Sequence, residues 1–96
     1  MVRRLSVQVT PDELADLFTA LDIWDKIREG RLRSEPLLAR RRDSHGFPGG
    51  LSDIIRHTNE AGYHVATSHA ITMPDGSVPH WDGKDVHFGD VVIWAL

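Results

Sequence analysis

The hydrophobic period of this chain changes part-way along, and that change restricts its fold more than any other feature. Leu14, Leu17, Phe18, Leu21, Trp24 and Ile27 recur at three- and four-residue spacing, the pattern of a helix with one apolar stripe. Beyond Gly62 the pattern becomes short β-prone runs separated by turn residues. Tyr63 to Met73 reads as a strand, Pro74-Asp75-Gly76 as a turn, and Ser77 to Trp81 as the returning strand. Asp82-Gly83-Lys84-Asp85 reads as a further turn, followed by Val86 to Phe88, Gly89-Asp90 and a core strand from Val91 to Ala95. Pro79 cannot donate to a ladder, so the strand that carries it is expected at an edge.

The first helix has a well-marked start. Thr10 is a good N-cap, Pro11 occupies the first helical position without losing a bond, and Glu13 completes a capping box. The apolar stripe predicts one helix to about Glu29, with Gly30 as its stop. Ahead of it, Leu5 to Val9 alternates and predicts a short strand with one buried face. A second helix is predicted from Ser52, with Leu51, Ile54, Ile55 and Thr58 inward and Gly62 as its stop. Between Arg31 and Gly50 the period fades, which leaves either an ordered functional loop or a strand near Leu32 to Arg41. The elements add up to an α+β fold. A small antiparallel sheet, built from a C-terminal β-meander plus the N-terminal strand at either edge, is packed by two helices.

Size and composition narrow the functional classes. Ninety-six residues, 41% of them apolar, make a single α+β domain over 1–96 with one core. Without cysteine there is neither a disulfide framework nor a thiolate zinc site, and no run reaches signal-peptide or membrane-span length, so a cytoplasmic protein with no membrane association is expected. The net charge of −3 argues against a strongly electrostatic nucleic-acid binder. It hides an asymmetry, because residues 1–44 carry nine basic against eight acidic side chains and residues 45–96 carry two against six. The run Arg40-Arg41-Arg42 is the surface where phosphate contact is expected.

All six histidines, His45, His57, His64, His69, His80 and His87, fall in the second half of the chain. Imidazole changes charge near neutral pH and serves as acid, base or metal ligand. Strand parity separates these roles. His64 and His69 are five apart and point to opposite faces unless a bulge intervenes, so a shared metal is not expected. His80 and Asp82 are two apart and share a face. His-x-Asp is part of the facial triad of non-haem iron, but the oxygenases built on it need a far larger barrel, so no metal and no other cofactor is expected.

The hairpin offers another arrangement. A two-residue turn at Asp75-Gly76 puts Ile71 opposite His80 and His69 opposite Asp82, gathering His69, His80 and Asp82 into an acid/base site. A three-residue loop at Pro74-Asp75-Gly76 instead sets His69 against Trp81 and makes it a packed histidine. Both registers remain open from the sequence. Gly46-Phe47-Pro48-Gly49-Gly50, leading into the predicted helix, presents backbone N–H groups to an anion, and Trp81 and Phe88 are candidates to stack on bases, whereas Trp94 is expected in the core.

From Leu51 to Gly89 the chain resembles the HicA family of small toxin ribonucleases. The resemblance rests on a helix at Leu51 to Ala61, Gly62-Tyr63, Ser68-His69, Pro74-Asp75-Gly76, Val78-Pro79-His80 and Gly89. It implies a double-stranded-RNA-binding-like α/β fold, His69 as catalytic histidine, mRNA as substrate and a silencing antitoxin as partner. The chain departs from the family in its shortened Gly62 to Ser68 segment and in the β-prone residues after Gly89.

The expected function is an RNA-binding, RNA-cleaving toxin-like protein. His69, His80 and Asp82 are catalytic in this reading, and Arg40, Arg41, Arg42 and Trp81 hold substrate. The alternative is a non-enzymatic inhibitor, antitoxin, immunity protein or regulator that meets a basic protein partner through Asp75, Asp82, Asp85 and Asp90. Either form is compatible with a homodimer.

Overall fold

In the computed structural model, residues 5–37, 41–42 and 46–95 are described, with backbone alone for 41–42. The elements run β1 (Leu5–Gln8), α1 (Pro11–Ala20), α2 (Ile23–Arg28), β2 (Arg33–Pro36), β3 (Arg41–Arg42), β4 (Leu51–Thr58), β5 (His64–Thr72), β6 (His80–Phe88) and β7 (Val91–Trp94). The fold is α+β, with both helices packed on one face of a mixed sheet ordered β1-β7-β6-β5-β4-β2. β3 pairs with β4 beyond the end of β2, on the same edge. β1 lies parallel to β7, and the remaining pairs are antiparallel. No helix among the described residues is long and apolar enough to cross a membrane.

The N-terminal signals act locally, as predicted. Glu13 N–H donates to Thr10 Oγ1 at 3.1 Å and Thr10 N–H to Glu13 Oε1 at 3.0 Å, so the capping box is closed. The single helix expected to Glu29 is broken, however, at Leu21-Asp22, where Asp22 adopts a left-handed φ of 54°. In an unbroken helix Ile23, nine residues after Leu14, would point about half a turn away from it. The break swings Ile23 into the core beside Leu14 and Phe18, and Asp is among the few residues that tolerate this conformation.

The second predicted helix is a strand. Leu51–Thr58 pairs along its length with β5, and the β-branched Ile54, Ile55 and Thr58 suit that surface. The helical spacing of Leu51, Ile54, Ile55 and Thr58 is overridden by pairing with β5, which sets the adjacent Ile54 and Ile55 on opposite faces of the sheet. With no helix after Gly50, the proposed presentation of anion-binding N–H groups at a helix start does not arise. Instead Gly50 packs so closely that a Cβ there would lie 2.8 Å from Ile71 Cγ2. The open alternative at 31–50 resolves in part as strand, with β2 and β3 on the edge of β4.

Four further expectations are corrected. Asp82-Gly83-Lys84-Asp85 is not a turn but the middle of β6, where Gly83 leaves room for the Phe18 ring; a Cβ would fall 2.4 Å from Phe18 Cε1. β6 is internal, between β5 and β7, and Pro79 stands just before it rather than in an edge strand. β1 has no buried face, since Leu5 and Val7 are exposed on an edge strand, and Trp94 is half-buried with its indole N–H on Ser6 Oγ at 2.7 Å.

Candidate functional site

Two bulges determine which side chains meet. In β5, Thr58 pairs with His64 and His57 with Ala66, which leaves Val65 as an extra residue. In β6, Thr67 pairs with Asp85 and Ser68 with Gly83, leaving Lys84 extra. Each extra residue shifts the face parity by one. His64 therefore joins Thr67 and His69 on one face, with its Nε2 2.8 Å from Thr67 Oγ1, and Asp85 and His87 join His80 and Asp82. This is the face away from the helices, since Phe18 packs over Gly83 on the other.

The hairpin combines features of both predicted registers. Met73 N–H donates to the Ser77 carbonyl at 2.8 Å and Gly76 N–H to the Met73 carbonyl at 2.9 Å, closing the loop around Pro74-Asp75-Gly76, with Gly76 at φ 88°. Asp75 Oδ1 accepts from the N–H and hydroxyl of Ser77, and these bonds lower its pKa. Even so, Ile71 lies opposite His80 and His69 opposite Asp82. The returning chain takes one more residue to get from Ser77 to His80 than the outgoing chain takes from Ile71 to Met73. Pro79, which has no N–H to offer a ladder, sits in that surplus stretch.

The register gathers His69, His80 and Asp82. Asp82 Oδ1 is 3.8 Å from His69 Nδ1, and Asp82 Oδ2 is 3.4 Å from His80 Nε2 and 3.7 Å from Lys84 Nζ. His69 is buried, and its Nε2 is 2.6 Å from Ser52 Oγ on β4. The His80 ring is half-exposed, edge-on to His69 at 5.3 Å and flanked by Phe47 at 6.5 Å. A hydroxyl, two imidazoles, a carboxylate and an ammonium thus come together on this face, with His80 and Asp82 partly exposed and His69 buried behind them. Such a set can pass a proton from a hydroxyl to His69 and offer another from His80.

Farther along the same face lies a second cluster. The His64 and His87 rings stack at 3.9 Å, and His87 Nε2 is 3.0 Å from Asp85 Oδ1. Burial, followed by the neighbouring His87 charge, holds the His64 pKa below its ordinary value, with Asp85 pulling the other way. In each cluster the potential ligand atoms of two histidines and one aspartate lie within 4.8 Å of one another. His57 plays a different part. It is fully buried on the helix-facing side between Ser34 Oγ and Ser68 Oγ, each at 2.7 Å, and burial, then the His64 charge, pushes its pKa down to about 4.

The other expected site residues fall elsewhere. Trp81 lies on the helix side, edge-on to Trp24 at 5.3 Å, and donates its indole N–H to Ser68 Oγ at 2.9 Å, so it does not join His69, His80 and Asp82. Arg40 and His45 lie outside the described residues. The backbones of Arg41 and Arg42 pair with Ser52 and Leu51. The sequence pattern makes Ser52 a helix start, sets His64 apart from His69 by strand parity and puts Asp85 in a turn, so neither Ser52 nor the group His64, Asp85 and His87 is expected from it. The spacing Asp85-x-His87, which mirrors His80-x-Asp82, was the available signal. The chain matches no protein-family model, no curated protein and no solved structure.

Proposed function

We propose that this protein cleaves RNA by acid–base catalysis on the face of its sheet that lies away from the helices. The observation that carries the reading is Asp82 between two imidazoles, with the Ser52 hydroxyl on the far nitrogen of one of them. The proton of an RNA 2′-hydroxyl passes through Ser52 to His69 Nε2 while the 2′-oxygen attacks phosphorus. The bond from phosphorus to the 5′-oxygen breaks, and protonated His80 supplies the proton which that leaving oxygen takes up. The products are a 2′,3′-cyclic phosphate and a 5′-hydroxyl. Asp82 balances the charge that His69 gains, and Lys84 offsets charge on the phosphate.

Tag-free protein is to be incubated with mixed-sequence single-stranded and duplex RNA in the presence of EDTA. Cyclic-phosphate ends are expected, with rates lowered roughly 10²–10⁴-fold in His69→Ala and His80→Ala, and with circular dichroism unchanged. Intact RNA of both kinds would end this reading. The alternative, an acidic surface for a basic partner, has less support. Asp75 and Asp90 stand at the turns before and after β6, at its opposite ends, and Asp82 and Asp85 already face histidines.

A further inference from the structure

The second histidine cluster has the chemistry of a metal centre. His64 comes from β5, and Asp85 and His87 come from β6 two residues apart, so three ligands converge from two adjacent, hydrogen-bonded strands. Their potential ligand atoms already lie within 4.8 Å of one another, and closing them on one ion requires the stacked His64 and His87 rings to turn towards a common point. We propose that His64, Asp85 and His87 bind a zinc-class divalent ion, with an open coordination position towards the adjoining groove.

Three features support this assignment. First, His64 Nε2 lies 3.0 Å from the Ala66 carbonyl and 2.8 Å from Thr67 Oγ1; a carbonyl can only accept, so the tautomer with its hydrogen on Nε2 satisfies this contact and leaves the lone pair on Nδ1. A ligating histidine commonly donates its other N–H to a backbone carbonyl in this way, which fixes both tautomer and ring. Second, the donor set of two imidazoles and one carboxylate suits zinc, cobalt or ferrous iron, whereas magnesium and calcium prefer all-oxygen cages. Third, a groove of about 480 Å³ adjoins the rings, bordered by Tyr63, His64, His87 and Phe88, and gives water or a small ligand access to the fourth position. Arg56 on β4 also acts on His64, and its guanidinium lies 3.8 Å from the Glu35 carboxylate, which offsets its charge. The cluster at His69, His80 and Asp82 is the poorer cation site, because Lys84 stands against its carboxylate and Ser52 occupies a nitrogen of His69.

The test is a titration of tag-free, EDTA-stripped and desalted full-length protein with Co²⁺, followed by its visible absorption, with Zn²⁺ added afterwards as competitor and Mg²⁺ as control. One equivalent of Co²⁺ is expected to bind with bands of a four- or five-coordinate ion, and Zn²⁺ is expected to displace it. His64→Ala and Asp85→Asn should each weaken binding by more than the roughly 10–100-fold lost with an outer-shell partner, while His69→Ala leaves it unchanged. Asp85→Asn preserves side-chain volume, so it decides the matter if His64→Ala fails to fold. Binding no tighter than Mg²⁺, binding kept in Asp85→Asn, or binding lost in His69→Ala would each overturn the assignment. Because the RNA assay is run in EDTA, its result is independent of this one.

Discussion

Protonation of the buried His57 should destabilise the fold over a defined acid window, and substitution to Gln should remove that effect. Above pH 6.5 the ring is neutral in both folded and unfolded chains, and its stabilising contribution is complete. Its folded pKa is pushed down to about 4, against 6.5 for the free side chain. As pH falls below 6.5 the unfolded state therefore takes up a proton that the folded state refuses. Stability drops at up to 1.4 kcal/mol per pH unit, and the loss is complete only once pH is below the folded value. Across this window it amounts to about 3 kcal/mol. The groups facing the ring are Ser34 on β2 and Ser68 on β5, with His64 acting through its charge. None supplies a carboxylate to balance an imidazolium. Urea unfolding of wild type and His57→Gln, measured from pH 7.5 to 4 in EDTA, isolates the effect, since contributions from other groups appear in both proteins. At pH 7.5 the variant should be less stable, because two buried hydroxyls lose their ring partner. By pH 4 the gap should have moved by about 3 kcal/mol in the variant's favour. A gap that stays constant across the series would refute the reasoning.

Two further substitutions test the packing and the helix start. Gly83→Ala places a methyl group inside the Phe18 ring contact, and overpacking of this kind should cost about 1–3 kcal/mol in urea unfolding. Unchanged stability would mean that α1 does not press on β6 as described. Thr10→Ala opens the capping box and should cost about 1 kcal/mol by the same measurement, with Thr10→Gly costing less.

Strand and turn features that depend on neighbours within a few residues were legible in the sequence. The capping box at Thr10, the stop at Gly30, the Pro74-Asp75-Gly76 turn and the strand from His64 to Thr72 all form where the residues predict. For the candidate site, the pairing of His69 with Asp82 was one of two open registers. Ser52 was not legible as a site residue, because Leu51, Ile54, Ile55 and Thr58 follow helical spacing and only the pairing with β5 makes this segment a strand.

The sequence alone thus determined the material of this protein: a cysteine-free α+β domain with a capped first helix and a histidine-rich, β-prone second half. Tertiary structure decided which residues meet. A bulge or a broken helix forms when a distant partner, such as Ile23 seeking the core or β4 and β6 flanking β5, gains more from contact than local regularity loses. That balance lies between segments far apart in the chain, so no local pattern records it, and the two extra residues Val65 and Lys84 place His64, His69, His80 and His87 on one face.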